Sequence, residues 1–157
     1  MLTASFIVKL LPPYHRDFSK RLIKSPKLYF LDTGLLCYLL RIRTPGDLRL
    51  HAARGAIFES WAVSEAVKGF LHRGLEADVY FWRDSSGHEV DLVIEADGEA
   101  TAVEAKSGQT FASDFFKGLD YWRGLPGNSE APAALVYGGD ESYQRQGKAV
   151  LSWRVWG

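Results

Sequence analysis

The dipeptide Asp97-Gly98 lies between two alternating apolar runs, residues 89–95 and 100–106. Asp-Gly is favoured where both central residues of a turn need positive φ, so the pattern predicts a tight β-hairpin. A second turn signal, Asp84-Ser85-Ser86-Gly87, joins the first of these runs to an earlier one at 78–83. Three consecutive strands are thus expected, with a helix over 55–73 before them and a helix over 111–123 after them. Gly124, Pro126 and Gly127 end the second helix. Residues 133–137 form a continuous apolar run, as a strand buried on both faces does, and 150–155 read as a last strand. From residue 55 the order is α-β-β-β-α-β-β, which describes an α/β fold with a mixed central sheet flanked by helices.

At 100° per residue, Glu59, Ala62, Val63, Ala66 and Phe70 share one side of the first helix, with Ser60, Ser64 and Lys68 opposite. Glu59 therefore belongs to the stripe expected to face the core. Ile57 and Trp61 fall off that stripe and predict contact with a second layer. Upstream, residues 5–11 and 27–31 read as the strands of a hairpin and 14–26 as a polar loop. Residues 32–40 read as a turn running into a short apolar helix, and 41–54 as an Arg-rich connector. Trp82, Trp122, Trp153 and Trp156 read as core.

The length of 157 residues allows one domain with a short appendage, and 46% hydrophobic against 24% charged residues excludes a largely disordered chain. A lone cysteine, Cys37, excludes an intramolecular disulfide framework and a thiol-rich zinc site. Asp32 interrupts the apolar stretch 28–40, and no run approaches the 20 or so residues that span a bilayer. The N-terminus has no basic start before an apolar run, so no signal peptide is expected and the default is a soluble cytoplasmic protein. Nineteen basic residues balance nineteen acidic ones, but unevenly. Residues 1–54 hold ten basic and three acidic residues, a net of +7, and residues 55–157 hold nine and sixteen, a net of −7. The basic part is suited to a phosphate backbone or an acidic partner, the acidic part to a divalent cation. The alternative is that the two parts pack on each other, or that the basic face is simply solvated.

Several chemistries are excluded by their missing motifs. Gly147-Lys148 is followed by Ala149, with Ser142 five residues before Gly147, so there is no Walker A loop and no ATP site of that kind. His88-Glu89 has Leu92 where a zinc protease needs its second His, and His15, His51 and His72 are scattered. No nucleophile elbow is present.

Four ionisable residues stand out by placement. Glu104 and Lys106 lie two apart in a strand and so share a face. Asp91 lies in the strand paired with it, within reach of Glu104, and Glu59 points inward from the preceding helix. Hard cations such as Mg²⁺ or Mn²⁺ take carboxylate oxygens, and a lysine beside them stabilises negative charge developing on a phosphate. E-x-K alone is a common tripeptide, and its alternative reading is a solvated, salt-bridged strand face. Asp91 alone reads equally as a hairpin residue, and Glu59 as a carboxylate near a helix end.

The run Lys24-Ser25-Pro26-Lys27-Leu28-Tyr29-Phe30-Leu31-Asp32-Thr33-Gly34-Leu35-Leu36 resembles the opening of a domain of unknown function that follows the ATPase module in a group of prokaryotic AAA-type ATPases. The resemblance continues through residues 55–59, Tyr80-Phe81-Trp82-Arg83-Asp84, Gly87-His88-Glu89-Val90-Asp91 and Val103-Glu104-Ala105-Lys106-Ser107, and covers residues 20–155. It implies a restriction-endonuclease-like core of the PD-(D/E)XK class over residues 27–157, with core order α-β-β-β-α-β. Residues 1–26 would be the tail of a linker or the hairpin remnant of a winged helix. By the same resemblance, Asp91 and Glu104 bind Mg or Mn with the carbonyl of Ala105, Lys106 activates the nucleophile, and Glu59 completes the acidic site. Val90 stands at the nominal proline, a replacement that class tolerates. The implied function is metal-dependent phosphodiester hydrolysis of DNA beside a AAA-type ATPase module in the same or a partner chain. The alternative is a non-catalytic DNA- or protein-interaction module that regulates or targets that ATPase. A winged-helix DNA-binding fragment would have to be built from residues 1–31 alone.

Overall fold

The computed structural model describes residues 6–15 and 25–157. Val8–Leu11 (β1) and Lys27–Phe30 (β2) pair antiparallel, with Val8 opposite Phe30 and Leu11 opposite Lys27. The expected hairpin is thus formed, while residues 16–24 of the expected polar loop lie outside the described residues. Helix α1 spans Thr33–Leu39 and starts where Asp32 accepts a hydrogen bond from the Leu35 N–H at 2.9 Å.

The stretch 41–54 is not only a connector. It carries a helix, Pro45–Leu50 (α2), set by a capping box: Thr44 Oγ1 accepts from the Asp47 N–H and Asp47 Oδ2 accepts from the Thr44 N–H. Proline at the first turn suits that start.

Helix α3 runs over Arg54–Leu71. Strands β3 (Val79–Arg83), β4 (Glu89–Ala96) and β5 (Glu99–Lys106) follow as the expected meander. The β4–β5 turn has φ of 54° at Asp97 and 79° at Gly98, the paired left-handed residues that Asp-Gly predicts. A 3-10 turn, Ser113–Phe116, leads into α4, Lys117–Arg123, a shorter helix than 111–123. Then come β6 (Ala133–Tyr137), β7 (Tyr143–Arg145) and β8 (Lys148–Ser152). The last strand begins earlier than expected and gains a hairpin partner in β7. Gln146 and Gly147, both at positive φ, form that turn, and Trp153–Val155 is a 3-10 turn.

The six strands form one mixed sheet in the order β3-β4-β5-β6-β8-β7, with β5–β6 and β6–β8 parallel and the other pairs antiparallel. A core lies on each face. On one face Trp82 and Leu135 cluster with Phe116 and with Leu119 and Trp122 of α4, and on the other Phe81, Leu92, Val103 and Val136 cluster with Val63 and Val67 of α3. Strand β6 is buried at every position, as its continuous apolar run requires. Among the tryptophans expected in the core, Trp82 and Trp122 are fully buried, Trp156 is partly buried and Trp153 is exposed.

Two departures shape the site. First, Ser60 and Ser64 of α3 are buried, although periodicity sets them opposite the core stripe. Helix α3 packs against β2 and α1 as well as β5. The Ser64 hydroxyl donates to the Leu31 carbonyl at 2.6 Å, so its burial leaves no unmet polar group. Second, β4 carries a bulge. Tyr80 opposes Val93 but Trp82 opposes Val90, so three steps of β4 answer two of β3. Val90 and Val93 therefore both enter the core under α4, Leu92 enters the other, and Asp91 sits within the bulge.

Candidate functional site

The β4–β5 ladder ends at the pair Leu92–Val103. Beyond it, Asp91 Oδ2 takes over as acceptor for the Ala105 N–H at 2.9 Å. Lys106 Nζ then lies 2.6 Å from Glu104 Oε1 and 3.6 Å from Asp91 Oδ2. Three of the four expected ionisable residues are thus joined, with Ala105 tied into them through its backbone. Asp91 and Glu104 are buried, and Glu104 Oε2 has no hydrogen-bond partner among the described residues. Helix α4 closes this side: a Cβ added at Gly118 would lie 2.5 Å from the Glu89 carbonyl and 3.0 Å from Glu104 Oε2.

Glu59 joins the group from α3, but its bonds run to the small hairpin. Glu59 Oε1 accepts from Lys27 Nζ at 2.8 Å and from the Tyr29 hydroxyl. Lys27 Nζ also donates to Glu89 Oε1. Carboxylate oxygens of Glu59, Glu89 and Asp91 lie within 4.8 Å of one another. Glu89, Lys27 and Tyr29 were not among the expected site residues. The signals for them exist: Glu89 stands two before Asp91, and Lys27 and Tyr29 stand two apart in β2, so each pair shares a strand face. Arg83, at the rim, pairs with Glu89 at 3.5 Å.

Burial, and then the charge of Glu59, pushes the Asp91 carboxyl above the usual carboxylate range. Burial and the neighbouring Asp91 push Glu104 up to about 7, against the pull of Lys106. Burial disfavours charge on Lys106, but Asp91 and Glu104 outweigh it and hold Lys106 protonated above its ordinary range. Lys27 behaves alike: burial opposes its charge, and Glu59, with hydrogen bonds to Glu59 and Glu89, overrides it. Burial and Glu59 raise Tyr29, which keeps its proton and donates it.

The β3–β4 turn that delivers Glu89 is itself fixed. Buried Asp84 accepts from the N–H groups of Ser86 and His88 and from the Tyr121 hydroxyl at 3.0 Å, with His88 Nδ1 at 3.3 Å. The His88 ring stacks on Tyr121 with centroids 3.6 Å apart.

The acidic side chains offer only oxygen donors, those of Glu59, Glu89 and Asp91 within 4.8 Å of one another and Glu104 Oε2 buried and unpartnered beside Asp91's neighbour Lys106, which suits a hard divalent cation and not a soft one. Among the described residues, no helix is long and apolar enough to cross a membrane.

Residues 54–156 match the family described as Domain of unknown function (DUF4143), and residues 1–46 match Domain of unknown function (DUF8612). Uncharacterized protein Mb2031c of Mycobacterium bovis and uncharacterized protein Rv2008c of Mycobacterium tuberculosis are each 32% identical to the chain over 109 residues, 69% of this chain and 24% of the relative. The chain thus spans about a quarter of the length of these curated relatives. No solved structure matches it. The first match takes in α3, the whole six-stranded sheet and Glu59, Asp91, Glu104 and Lys106, and on it the chain belongs to the DUF4143 family.

Proposed function

We propose that this domain is a nuclease-like module with a restriction-endonuclease-like PD-(D/E)XK core, which hydrolyses phosphodiester bonds of DNA with Mg or Mn and works with a AAA-type ATPase module. The observation that carries the reading is the joining of Asp91, Glu104 and Lys106 at the open end of the β4–β5 hairpin, with Glu104 Oε2 buried and unpartnered. The order α3-β3-β4-β5-α4-β6 supports it, being the core order expected from the sequence.

Asp91, Glu104 and the Ala105 carbonyl would hold the ion. When bound, a divalent cation polarises the phosphate and lowers the pKa of a water it coordinates. Asp91 and Glu104 must be ionised for this, and they are the carboxyls that the protein alone holds above their usual range. Lys106, held beside Asp91 and Glu104, would orient the attacking oxygen and stabilise negative charge on the phosphate. Exposed Arg41, Arg43 and Arg49 offer phosphate contacts along α1 and α2.

The test is cleavage of single-stranded, duplex and branched DNA with Mn²⁺ or Mg²⁺, using Asp91→Ala as the control. The expected result is cleavage by the native chain and none by a folded variant. Equal cleavage by both would sink the reading. The non-catalytic alternative draws on a different observation: Tyr38, Leu39 and Leu50 are exposed large apolar side chains among those arginines. It expects the folded domain to capture the ATPase module whether or not Asp91 is replaced.

A further inference from the structure

The site holds four carboxylates, and they divide into an inner and an outer half. The inner half is Asp91 and Glu104, buried and bridged by Lys106, with Glu104 Oε2 still unpartnered. The outer half is Glu59 and Glu89, and it already has its cation: the Lys27 ammonium binds both, 2.8 Å from Glu59 Oε1. Oxygens of Glu59, Glu89 and Asp91 lie within 4.8 Å of one another, the spacing of a ligand set, and Lys27 binds two of the three, Glu59 and Glu89.

Lys27 is built into that position. Its Nζ lies 5.5 Å from the ring centroids of both Tyr29 and Phe81, so aromatic faces flank the ammonium. Tyr29, from the same face of β2, donates its hydroxyl to Glu59 Oε1 and holds that carboxylate toward the lysine. The β1–β2 register fixes Lys27 opposite Leu11, whose side chain is fully buried. A surface lysine has none of these restraints.

We propose that Lys27 is the permanent second cation of this site. It neutralises the outer carboxylates, and the domain therefore takes one divalent ion, at Asp91 and Glu104, where four carboxylates without it would take two. Glu59 is then a positioning residue for Lys27, and Glu89 its second anchor. This inference rests on the metal-centre reading above and extends it to the number of ions.

The experiment is a calorimetric titration of Mn²⁺ into the metal-stripped full chain, with bound Mn²⁺ counted independently by electron paramagnetic resonance. Native chain, Lys27→Met, Lys27→Arg and Asp91→Ala are compared, with circular dichroism to check folding. One ion per native chain, one per Lys27→Arg and two per Lys27→Met are expected. Where Lys27→Met fails to fold, Lys27→Gln, which retains a donor to Glu59 without the charge, is read in its place. Two ions on the native chain, or one ion with unchanged affinity on the charge-removed variant, overturns the role of Lys27 while leaving the metal centre standing. Binding by none of the chains, or binding that survives Asp91→Ala unaltered, overturns the metal-centre reading itself and this inference with it.

Discussion

Replacing Glu104 by Gln should stabilise the metal-free domain. The carboxyl is pushed from its ordinary 4.5 up to about 7 by burial and by Asp91. A raised acid pKa means that the folded state holds the proton more tightly than the unfolded one, so stability is lost as pH climbs from 4.5 towards 7 and is flat above it. At about 1.4 kcal/mol per pH unit the full cost is about 3 kcal/mol at pH 8. Gln keeps the shape and removes the charge, while Lys106 retains Asp91 as a partner. For a chain of this size about 3 kcal/mol corresponds to a melting temperature roughly 10 °C higher. The assay is thermal unfolding in a chelating buffer at pH 4.5, 6 and 8. The variant should lie well above the native chain at pH 8, with the gap closing as pH falls to 4.5. Saturating Mn²⁺ should raise the native melting temperature and leave the variant nearly unmoved, because a ligand stabilises only the state that binds it. A Glu104→Gln protein that melts at or below the native chain at pH 8 would refute the reasoning, and would mean that Lys106 fully compensates the buried charge.

Two further outcomes follow from neighbouring groups. Gly118→Ala should cost about 2 kcal/mol in denaturant unfolding and weaken Mn²⁺ binding, because its Cβ would stand 2.5 Å from the Glu89 carbonyl and only a backbone shift can relieve that. Asp84→Ala should cost about 3 kcal/mol by removing the acceptor of two turn N–H groups and of one hydrogen bond from the Tyr121 hydroxyl. Although burial opposes it, those hydrogen bonds hold the Asp84 carboxyl below its ordinary range, so the native advantage over the variant is present above pH 4 or so and is lost as pH falls through the depressed value.

Local signals carried most of the sheet. Asp97-Gly98 located the turn of one hairpin, with its strands within a residue of their expected ends, and the apolar run 133–137 marked the buried central strand. What escaped depended on partners distant in the chain. Ser60 and Ser64 look like a solvated face, but both are buried, and the Ser64 hydroxyl meets the distant Leu31 carbonyl. The bulge in β4 is a property of its pairing with β3 and leaves no mark in β4 alone. Helix α2 is a different failure, since Thr44-Pro45-Gly46-Asp47 carries a legible capping box inside a stretch that looks only basic. At the site, pattern and resemblance pointed to Glu59, Asp91, Glu104 and Lys106, and they converge. Glu89 and Lys27 were missed because a carboxylate and a lysine on strand faces look like ordinary surface charges until the hairpins are stacked together.

The uneven charge of the chain acquires a meaning at this point. Lys27 comes from the basic part, and Glu59 and Glu89 from the acidic part, so the two parts do meet, as the simplest reading of their opposite signs expects. Among the described residues, the ion pairs between the two parts involve one lysine. Arg41, Arg43 and Arg49 remain exposed on the α1–α2 segment, with Asp47 engaged in capping the helix they flank. A basic surface left over after the internal pairing is satisfied costs the fold little, but it repels itself and adds nothing to the core. Under the proposed function its counterpart would be the phosphate backbone of DNA or an acidic partner. The same segment joins the hairpin that supplies Lys27 to the helix that supplies Glu59, so the exposed arginines and the two elements that carry the outer half of the site are continuous in the chain.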